Sequence, residues 1–287
     1  MQTPTISVIT PSLNSGAFLE DALLSVSLQD GVPVEHIVQD SLSRDNTLEI
    51  LRKYPEVRWR WESDGGQSDA INRGFLRAHG DLVGWLNADD YYLPNGLKAI
   101  AQAAAEHPEA DVFHGDCVFV DGEGSIERSK VEHNFDPDIL FYFGCYIPST
   151  ATFFRRRVIE QGYLLDCNYR VCMDFEYFVR LANAGFKFHY VPQFIAAFRW
   201  HDSNVSLQQV ERRAVERHEV QRRFGTRSRS EMQMAILRQS YRAKRIARKI
   251  VSGNAKREFK LRQRRGENTL WMRDSKAMAT CASLACL

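Results

Sequence analysis

The feature that most constrains the fold is a regular alternation of strand-like and helix-like segments over the first 86 residues. Apolar, β-branched or aromatic runs recur at 6–10, 34–39, 57–61 and 82–86, and segments with helical spacing of apolar residues lie between them. Strands that alternate with helices at this spacing are typical of parallel, doubly wound sheets. The sequence therefore predicts an α/β fold with a Rossmann-like, mostly parallel sheet.

The ends of these strands carry the first functional signal. No glycine-rich dinucleotide fingerprint and no phosphate-loop lysine motif follows the first strand, which argues against a redox or kinase function. Polar or acidic residues follow successive strands instead, at Ser12, Asp40, Asp64 and Asp89. In a parallel sheet these ends lie along one edge, where ligands bind. We expect this edge to hold a base and ribose.

Two adjacent carboxylates, Asp89 and Asp90, follow the buried run 82–86. Mg²⁺ or Mn²⁺ is usually held by one or two carboxylates together with substrate phosphates, so this pair suits a divalent cation. The alternative is that one of them caps a helix that begins near Pro94. The stretch alone leaves both interpretations open.

An ordered set of motifs lies at 6–14, 40–47, 64–74, 87–90, 173–177 and 198–201. Together they resemble the motifs of the inverting family-2 glycosyltransferases of the GT-A fold. The resemblance covers roughly residues 5–205. Two departures are Ser41, where the family has glycine, and Asn87, where the family's metal motif begins with aspartate.

On the nucleotide side, this resemblance implies roles for four residues. Asp40 is expected to hydrogen-bond the base or ribose, with Ser12 lining the same pocket. Asp69 and Asn72 are expected to close over the base and ribose. For these last two, the alternative is ordinary polarity at a helix N-terminus, where acidic residues are favoured.

On the metal side, the resemblance implies that Asp89 coordinates Mn²⁺ or Mg²⁺ at the diphosphate, with Asp90 in support. Asn87 keeps an oxygen for a ribose hydroxyl or a metal-bound water but lacks the charge of aspartate. His201 is expected to approach the metal or the diphosphate. A single histidine of this kind is equally compatible with a surface or core position.

The catalytic base is expected at the start of an amphipathic helix that begins near Met173. Inversion at an anomeric carbon needs one carboxylate to accept the proton of the acceptor hydroxyl. Asp174 is the expected base, with Glu176 as second choice and helix capping as the structural alternative. Residues 110–205 should bind the acceptor; Asp116 and the aromatic residues at 141–146 suit either acceptor contact or structural packing.

Charge is divided unevenly along the chain. The net charge is only +2, but residues 205–265 hold nineteen Lys and Arg against five Glu, a net of +14. We therefore expect a GT-A domain at 1–205, with a nucleotide half at 1–109 and an acceptor half at 110–205. A basic helical extension at 206–265 and a poorly ordered tail at 266–287 should follow. Basic amphipathic helices favour an anionic membrane surface or a homodimer contact, and nucleic acid is not expected.

The predicted function is transfer of a sugar from a nucleoside-diphosphate donor, with UDP favoured, to a saccharide or lipid-linked acceptor in bacterial surface polysaccharide or glycolipid assembly. The cysteines show no metal-ligand spacing and read as reduced thiols, so we expect a cytoplasmic enzyme, with attachment to the inner face of the membrane left open. A catalytically inactive nucleotide-sugar-binding protein is the alternative. A sugar nucleotidyltransferase would need a phosphate loop that is absent.

Overall fold

The computed structural model describes residues 3–201, 204, 209–225, 229–273 and 275–285. These residues form one nine-stranded mixed sheet with helices on both faces. Its strands are β1 Ile6–Ser12, β2 Val34–Asp40, β3 Arg58–Trp61, β4 Leu82–Trp85, β5 Tyr91–Tyr92, β6 Val112–Val120, β7 Ile126–Lys130, β8 Thr152–Arg155 and β9 Phe188–Arg199. They are ordered β3-β2-β1-β4-β8-β6-β9-β5, and β7 pairs with β6.

The helices cover the sheet and continue beyond it. They are α1 Leu19–Ser27, α2 Thr47–Leu51, α3 Gln67–Arg77, α4 Gly96–Glu106, α5 Arg156–Glu160, α6 Met173–Asn183, α7 Val210–Phe224, α8 Glu231–Val251, α9 Asn254–Arg262 and α10 Ser275–Ala285. A π-helical turn spans Ile139–Phe143, and a short 3-10 turn spans Ser149–Ala151.

The parallel half of the sheet confirms the alternation read from the sequence. Strand β1 is buried along its whole length and lies between β2 and β4, parallel to both. The register places Ser12 beside Asp40, so the polar residues that end these two strands lie next to each other. Helix α3 packs closely on β1 because Gly74 has no side chain: a Cβ there would lie 2.4 Å from Cγ2 of Ile9.

The second half of the sheet is mixed. Strand β8 is antiparallel to both β4 and β6, whereas β9 runs parallel to β6 and antiparallel to β5. The apolar run 194–200 predicts a strand, and the observed strand β9 begins earlier, at Phe188. Its first part is hard to recognise because Pro192 and Gln193 interrupt the apolar pattern, and the pairing with β6 shifts register near Asp116.

The basic extension is attached to the body by buried ion pairs. Arg245 of α8 lies 2.9 Å from Glu132, and Arg257 of α9 lies 3.2 Å from Asp116. Both carboxylates are fully buried. A buried carboxylate is costly unless a cation or donors compensate it, so these arginines give the basic extension a defined place on the acidic body.

The spacing of apolar residues in α8 predicts one apolar side made of Met234, Leu237, Tyr241, Ile246 and Ile250, and the structure confirms it only in part. Tyr241 stacks on Tyr142 of the π-helical turn with ring centroids 4.7 Å apart, and Leu237 is partly buried on the same face. Ile246 and Ile250 were predicted to share that side, but both are exposed. The predicted stripe therefore divides between two faces of the helix.

The segment after residue 265 packs on the body, although the sequence led us to expect little order there. Trp271 is 8% exposed, and its Nε1 donates a hydrogen bond to the carbonyl oxygen of Tyr92 at 3.0 Å. The hydroxyls of Thr269 and Tyr91 lie 2.7 Å apart in the same cluster. One tryptophan supplies much of the anchoring, and its short flanking sequence lacks the periodicity that would reveal it.

Replacing Trp271 by alanine tests whether this segment is part of the folded unit. Because a large buried side chain and a buried hydrogen bond are lost, we expect the free energy of unfolding to fall by about 3 kcal/mol in urea titrations. Met278→Ala is the control, since Met278 is 40% exposed on α10. Equal and small effects of both substitutions would contradict the packing.

Candidate active site

A cleft of about 850 Å³ opens at the carboxyl ends of β1 and β4. Five of the predicted site residues line it: Ser12, Asn87, Asp89, Asp174 and His201. Its lining also includes Pro11, Leu13, Asn14, Ser15, Ala17, Phe18, Ser41, Asp64, Gly65, Gly66, Gln67, Ala70, Ala88, Ser149, Arg170, Val171, Met173, Phe198 and Asn204. Residues that are far apart in the chain thus converge at the edge that the sequence indicated.

Asp40 does not line this cleft, which differs from its predicted role at the base or ribose. Its carboxylate is fully buried and accepts hydrogen bonds from the hydroxyls of Ser12 at 2.9 Å and Ser43 at 2.6 Å. The backbone amide of Ser43 donates a third bond at 2.8 Å. Asp40 therefore ties the ends of β1 and β2 together and fixes Ser12 at the cleft wall.

The departure at Ser41 leaves this turn intact. Leu42, the next residue, takes the left-handed conformation with φ +59°, whereas Ser41 is not among the positive-φ residues. The Ser41 amide donates to the carbonyl oxygen of Ser12 at 2.8 Å. A residue with a side chain at position 41 is therefore compatible with the turn, and the conformational cost falls on Leu42.

Asp69 and Asn72 also lie outside the lining of the cleft. Asp69 accepts a bond from the Gly65 amide at 2.8 Å and pairs with Arg73 at 2.9 Å. The buried Asn72 amide makes two bonds to the backbone of Leu165, each 2.9 Å long. Neither side chain lines the cleft, and their roles at the base and ribose remain predictions.

The acidic turn after β4 separates its two carboxylates. Asp89 lies at the cleft, and its Oδ2 is 3.0 Å from Nε2 of His201 and 3.3 Å from Nδ2 of Asn204. Asp90 is 1% exposed and accepts a bond from the Arg199 backbone amide at 2.9 Å. Burial, followed by the nearby charge of Asp89, raises the pKa of Asp90 well above its usual range.

Asn87 uses both ends of its side-chain amide within the protein. Its Oδ1 accepts a bond from Gln67 at 2.8 Å, and its Nδ2 donates to Oδ2 of Asp90 at 2.9 Å. An aspartate at position 87 could not donate to Asp90 unless one of the two carboxyls were protonated. Asparagine at position 87 therefore makes a hydrogen bond to Asp90 where two carboxylates would repel each other. Its side-chain oxygen accepts the hydrogen bond from Gln67.

Asp89 and His201 form a donor set that fits a hard divalent cation only with help from a substrate. Among the described residues, no group of three or more His, Cys, Asp or Glu side chains could hold a metal ion. Mg²⁺ and Mn²⁺ commonly rely on one or two protein ligands and complete their coordination with phosphates and water. The residues present therefore suit a cation that binds together with a diphosphate.

His201 is positioned by stacking as well as by Asp89. Its ring lies 5.0 Å from that of Phe18 with an interplanar angle of 29°. The guanidinium of Arg199 lies 4.4 Å from the centroid of Phe18 and forms a buried ion pair with Asp21 at 2.9 Å. The buried arginine thus supports the wall that carries the histidine.

Asp174 lies in the first turn of α6 and lines the cleft, as predicted for a base. Its Oδ1 accepts a bond from the Phe175 amide at 2.7 Å, and its Oδ2 lies 3.6 Å from Sγ of Cys145. Burial raises the pKa of Asp174, which the Phe175 amide and Cys145 thiol partly offset. Glu176 is fully buried and pairs with Arg180 at 2.8 Å, so it does not compete for this role.

The sequence did not indicate how the loop before α6 is held. Glu216 of α7 accepts bonds from three successive backbone amides of this loop: Arg170 at 2.9 Å, Val171 at 2.9 Å and Cys172 at 2.8 Å. Burial opposes the charge of Glu216, but these hydrogen bonds hold its pKa below the usual value. The sequence did not single out Glu216, because this helix holds three glutamates among five arginines.

The same loop brings a cation to the cleft. Arg170 donates a hydrogen bond through Nη1 to the carbonyl oxygen of Gly65 at 2.5 Å. Gly66 takes φ +104°, a conformation that favours glycine, and a Cβ there would lie 1.9 Å from Nη1 of Arg170, so a side chain at position 66 would displace the arginine. The two segments that border the cleft therefore fit together closely.

Comparison with known proteins identifies the family. The family model described as glycosyl transferase family 2 matches residues 7–164, which is more than half of the chain. The chain belongs to glycosyl transferase family 2. This confirms the family and the enzyme class that the sequence motifs indicated. Asp174 and His201 lie beyond the matched range, so their roles remain predictions.

Two relatives illustrate the similarity in sequence. A PGL/p-HBAD biosynthesis glycosyltransferase of Mycobacterium bovis is 29% identical over 205 residues, which cover 69% of this chain and 78% of the relative. A putative teichuronic acid biosynthesis glycosyltransferase, TuaG of Bacillus subtilis, is 27% identical over 216 residues, covering 71% and 82%.

Two solved structures share the fold. Residues 1–349 of S. aureus TarS, in complex with UDP-GlcNAc, superpose with a TM-score of 0.62 at 20% identity, covering 83% of this chain and 71% of that one. The mannosyltransferase PcManGT of Pyrobaculum calidifontis, in complex with GDP-Man and Mn²⁺, gives 0.59 at 15% identity, covering 99% and 87%. The predicted GT-A fold is confirmed.

Replacing Glu216 by alanine should loosen the loop beside the cleft. Because three backbone amides, two of them part-buried and one buried, lose their acceptor, we expect hydrogen exchange at residues 170–172 to quicken by tenfold or more and the free energy of unfolding to fall by about 2 kcal/mol. Glu216→Gln keeps one acceptor oxygen, so its exchange rate and stability should lie between those of the wild type and Glu216→Ala. Glu211→Ala, at the exposed start of α7, is the control. Unchanged exchange in Glu216→Ala would contradict this role.

Proposed function

We propose that this protein transfers a sugar from a nucleoside-diphosphate donor to an acceptor hydroxyl with inversion at the anomeric carbon. The observation that carries the proposal is that a partly buried carboxylate, Asp174, shares one cleft with the Asp89–His201 pair. A base and a diphosphate-binding end are the two parts that a single displacement requires. Family membership supports an active enzyme over the inactive binding protein that the sequence left open.

In the proposed reaction, Asp174 accepts the proton of the acceptor hydroxyl as its oxygen forms a bond to the anomeric carbon. The bond from that carbon to the diphosphate oxygen breaks, and the electron pair leaves with the nucleoside diphosphate. The raised pKa of Asp174 makes its carboxylate a stronger base than that of an exposed aspartate. One carboxylate is sufficient for this step, unlike glycoside hydrolysis.

The part of the cleft lined by Asp89 and His201 would hold the leaving group. Asp89 and His201 would bind Mn²⁺ or Mg²⁺ together with the diphosphate, and Asp90 would support the turn from the core. A divalent cation stabilises the negative charge that develops on the departing phosphate. The Mn²⁺ complex of PcManGT supports this choice of metal.

The similar solved structures and sequence relatives also support the proposed donor and acceptor. TarS binds UDP-GlcNAc and PcManGT binds GDP-Man, so a nucleotide sugar is the proposed donor class, with UDP favoured. The teichuronic acid relative supports an acceptor in bacterial surface polysaccharide or glycolipid assembly, either a saccharide or a lipid-linked sugar. The five cysteines of the described residues are free thiols, which fits the proposed cytoplasmic location; Cys286 lies outside those residues.

Replacing Asp174 by asparagine should remove the base but leave donor binding intact. We expect kcat to fall roughly a thousandfold, while the thermal shift produced by the nucleotide stays as in the wild type. In the wild type, kcat/KM should fall as the pH drops through the raised pKa of Asp174, because the protonated carboxyl cannot accept a proton. Retained turnover in Asp174→Asn, or its loss only in Glu176→Gln, would reject the assignment.

Melting temperatures measured with a panel of nucleoside diphosphates, with and without Mn²⁺, test the proposed metal site at Asp89. We expect one nucleotide to raise the melting temperature in a Mn²⁺-dependent way, because ligand binding stabilises the folded state. Asp89→Ala should abolish the Mn²⁺ dependence, whereas Asp30→Asn, an exposed carboxylate away from the cleft, should preserve it. A nucleotide shift that is the same with and without Mn²⁺ would rule out the proposed metal site.

A further inference from the structure

Helix α8 presents a second apolar face to solvent, opposite the face that packs on the body. This face is formed by Met232, Ile236, Ile246 and Ile250, which lie four, ten and four positions apart. That spacing places them on one side of an α-helix. A membrane-exposed or partner-covered helix has such a stripe, whereas an ordinary surface helix is polar there. The members and their exposures are Met232 at 75%, Ile236 at 64%, Ile246 at 51% and Ile250 at 63%.

A basic groove of about 750 Å³ runs beside this stripe, between α8 and α9. Two of its cations, Arg245 and Lys249, are paired with Glu132 and Glu258. The other three make no ion pair with any residue that the structure describes; they are Arg238, Arg242 and Arg262.

Helix α9 continues the same surface. Phe259 lines the groove and is 63% exposed, which is unusual for a phenylalanine in a monomeric soluble domain. Lys256 and Lys260 lie three residues before and one after it, and both are exposed. The two helices together therefore display an apolar strip bordered by cations without ion-pair partners in the described chain.

We propose that this outer face of α8 and α9 binds the interface of an anionic lipid bilayer. Apolar side chains gain by entering the boundary between headgroups and acyl chains, and the bordering arginines and lysines gain by approaching lipid phosphates. Among the described helices, none is long and apolar enough to cross a bilayer, so the contact is with one leaflet.

Charge complementarity selects the bilayer over a second copy of this chain. Residues 205–265 carry a net charge of +14, and two such surfaces facing each other would bring unpaired arginines together. A nucleic acid would satisfy the cations but would leave the isoleucines and Phe259 in water. An anionic bilayer offers phosphates to the cations and acyl chains to the exposed apolar side chains.

The surface is separate from the catalytic cleft. No residue lines both the groove and the cleft, so substitutions on the outer face of α8 leave the proposed catalytic groups unchanged. Binding to lipid can therefore fail while nucleotide binding succeeds, so the failure of one proposal is distinguishable from the failure of the other.

The test is flotation of the full-length protein with vesicles of phosphatidylcholine alone or with about one third phosphatidylglycerol. We expect binding to the anionic vesicles, weaker binding to the neutral ones, and release as salt screens the charges. Ile236→Asp with Ile250→Asp should weaken binding by tenfold or more. Arg238→Ser, Arg242→Ser and Arg262→Ser combined should weaken it to a similar extent and reduce its salt dependence.

The matched control is Leu76→Asp with Val215→Asp, which replaces side chains of similar exposure, 68% and 67%, elsewhere on the surface. It should bind as the wild type does, and melting temperatures should be equal for all variants. Equal binding to neutral and anionic vesicles, or full binding by the isoleucine variant, would overturn the proposal. So would a dimer in light scattering that the isoleucine variant abolishes without any lipid, which would make the face a self-association surface.

Discussion

The buried charge of Arg199 is the constraint on which the cleft most depends. Its guanidinium is almost fully removed from water and is compensated by Asp21 of α1, which also pairs with Arg273 of the C-terminal segment at 2.6 Å. Breaking a buried pair by removing one partner leaves an uncompensated charge, so helix α1, strand β9 and the C-terminal segment are held together. The same residue donates its backbone amide to Asp90 and places its guanidinium over the ring of Phe18. Asp90 is the chain neighbour of Asp89, and Phe18 stacks on His201.

Electrostatics also explains why an acidic body and a basic extension belong to one folded unit. Asp116 and Glu132 are buried beneath the C-terminal helices and meet Arg257 and Arg245 there. Burial raises the pKa of Asp116 to about 7, although the backbone amide of Glu132, the charge of Arg257 and the hydroxyl of Tyr190 each lower it. Some of the positive charge of the extension is thus paired with buried carboxylates of the body, and the rest faces solvent.

The sequence was informative where a local pattern determines the outcome. Alternating strands and helices predicted the parallel half of the sheet, and a carboxylate at the first turn of an amphipathic helix predicted the position of Asp174 in the cleft. It was not informative where the partner of a polar residue is distant: nothing near Asn72 reveals that its amide binds Leu165, 93 residues away. Likewise, α8 carries two apolar stripes, and the sequence alone could not show which of them packs on the body.

One consequence concerns the π-helical turn at Ile139–Phe143, which two helices of the extension hold at once. Arg217 of α7 donates to the Phe143 carbonyl oxygen at 2.7 Å, and Tyr241 of α8 stacks on Tyr142. Helix α7 also carries Glu216, so the order of the loop before Asp174 is thermodynamically linked to the docking of the extension. Any ligand that binds only the docked form must raise the population of the ordered loop. By reciprocity, substrates that order the loop must tighten that ligand by the same factor.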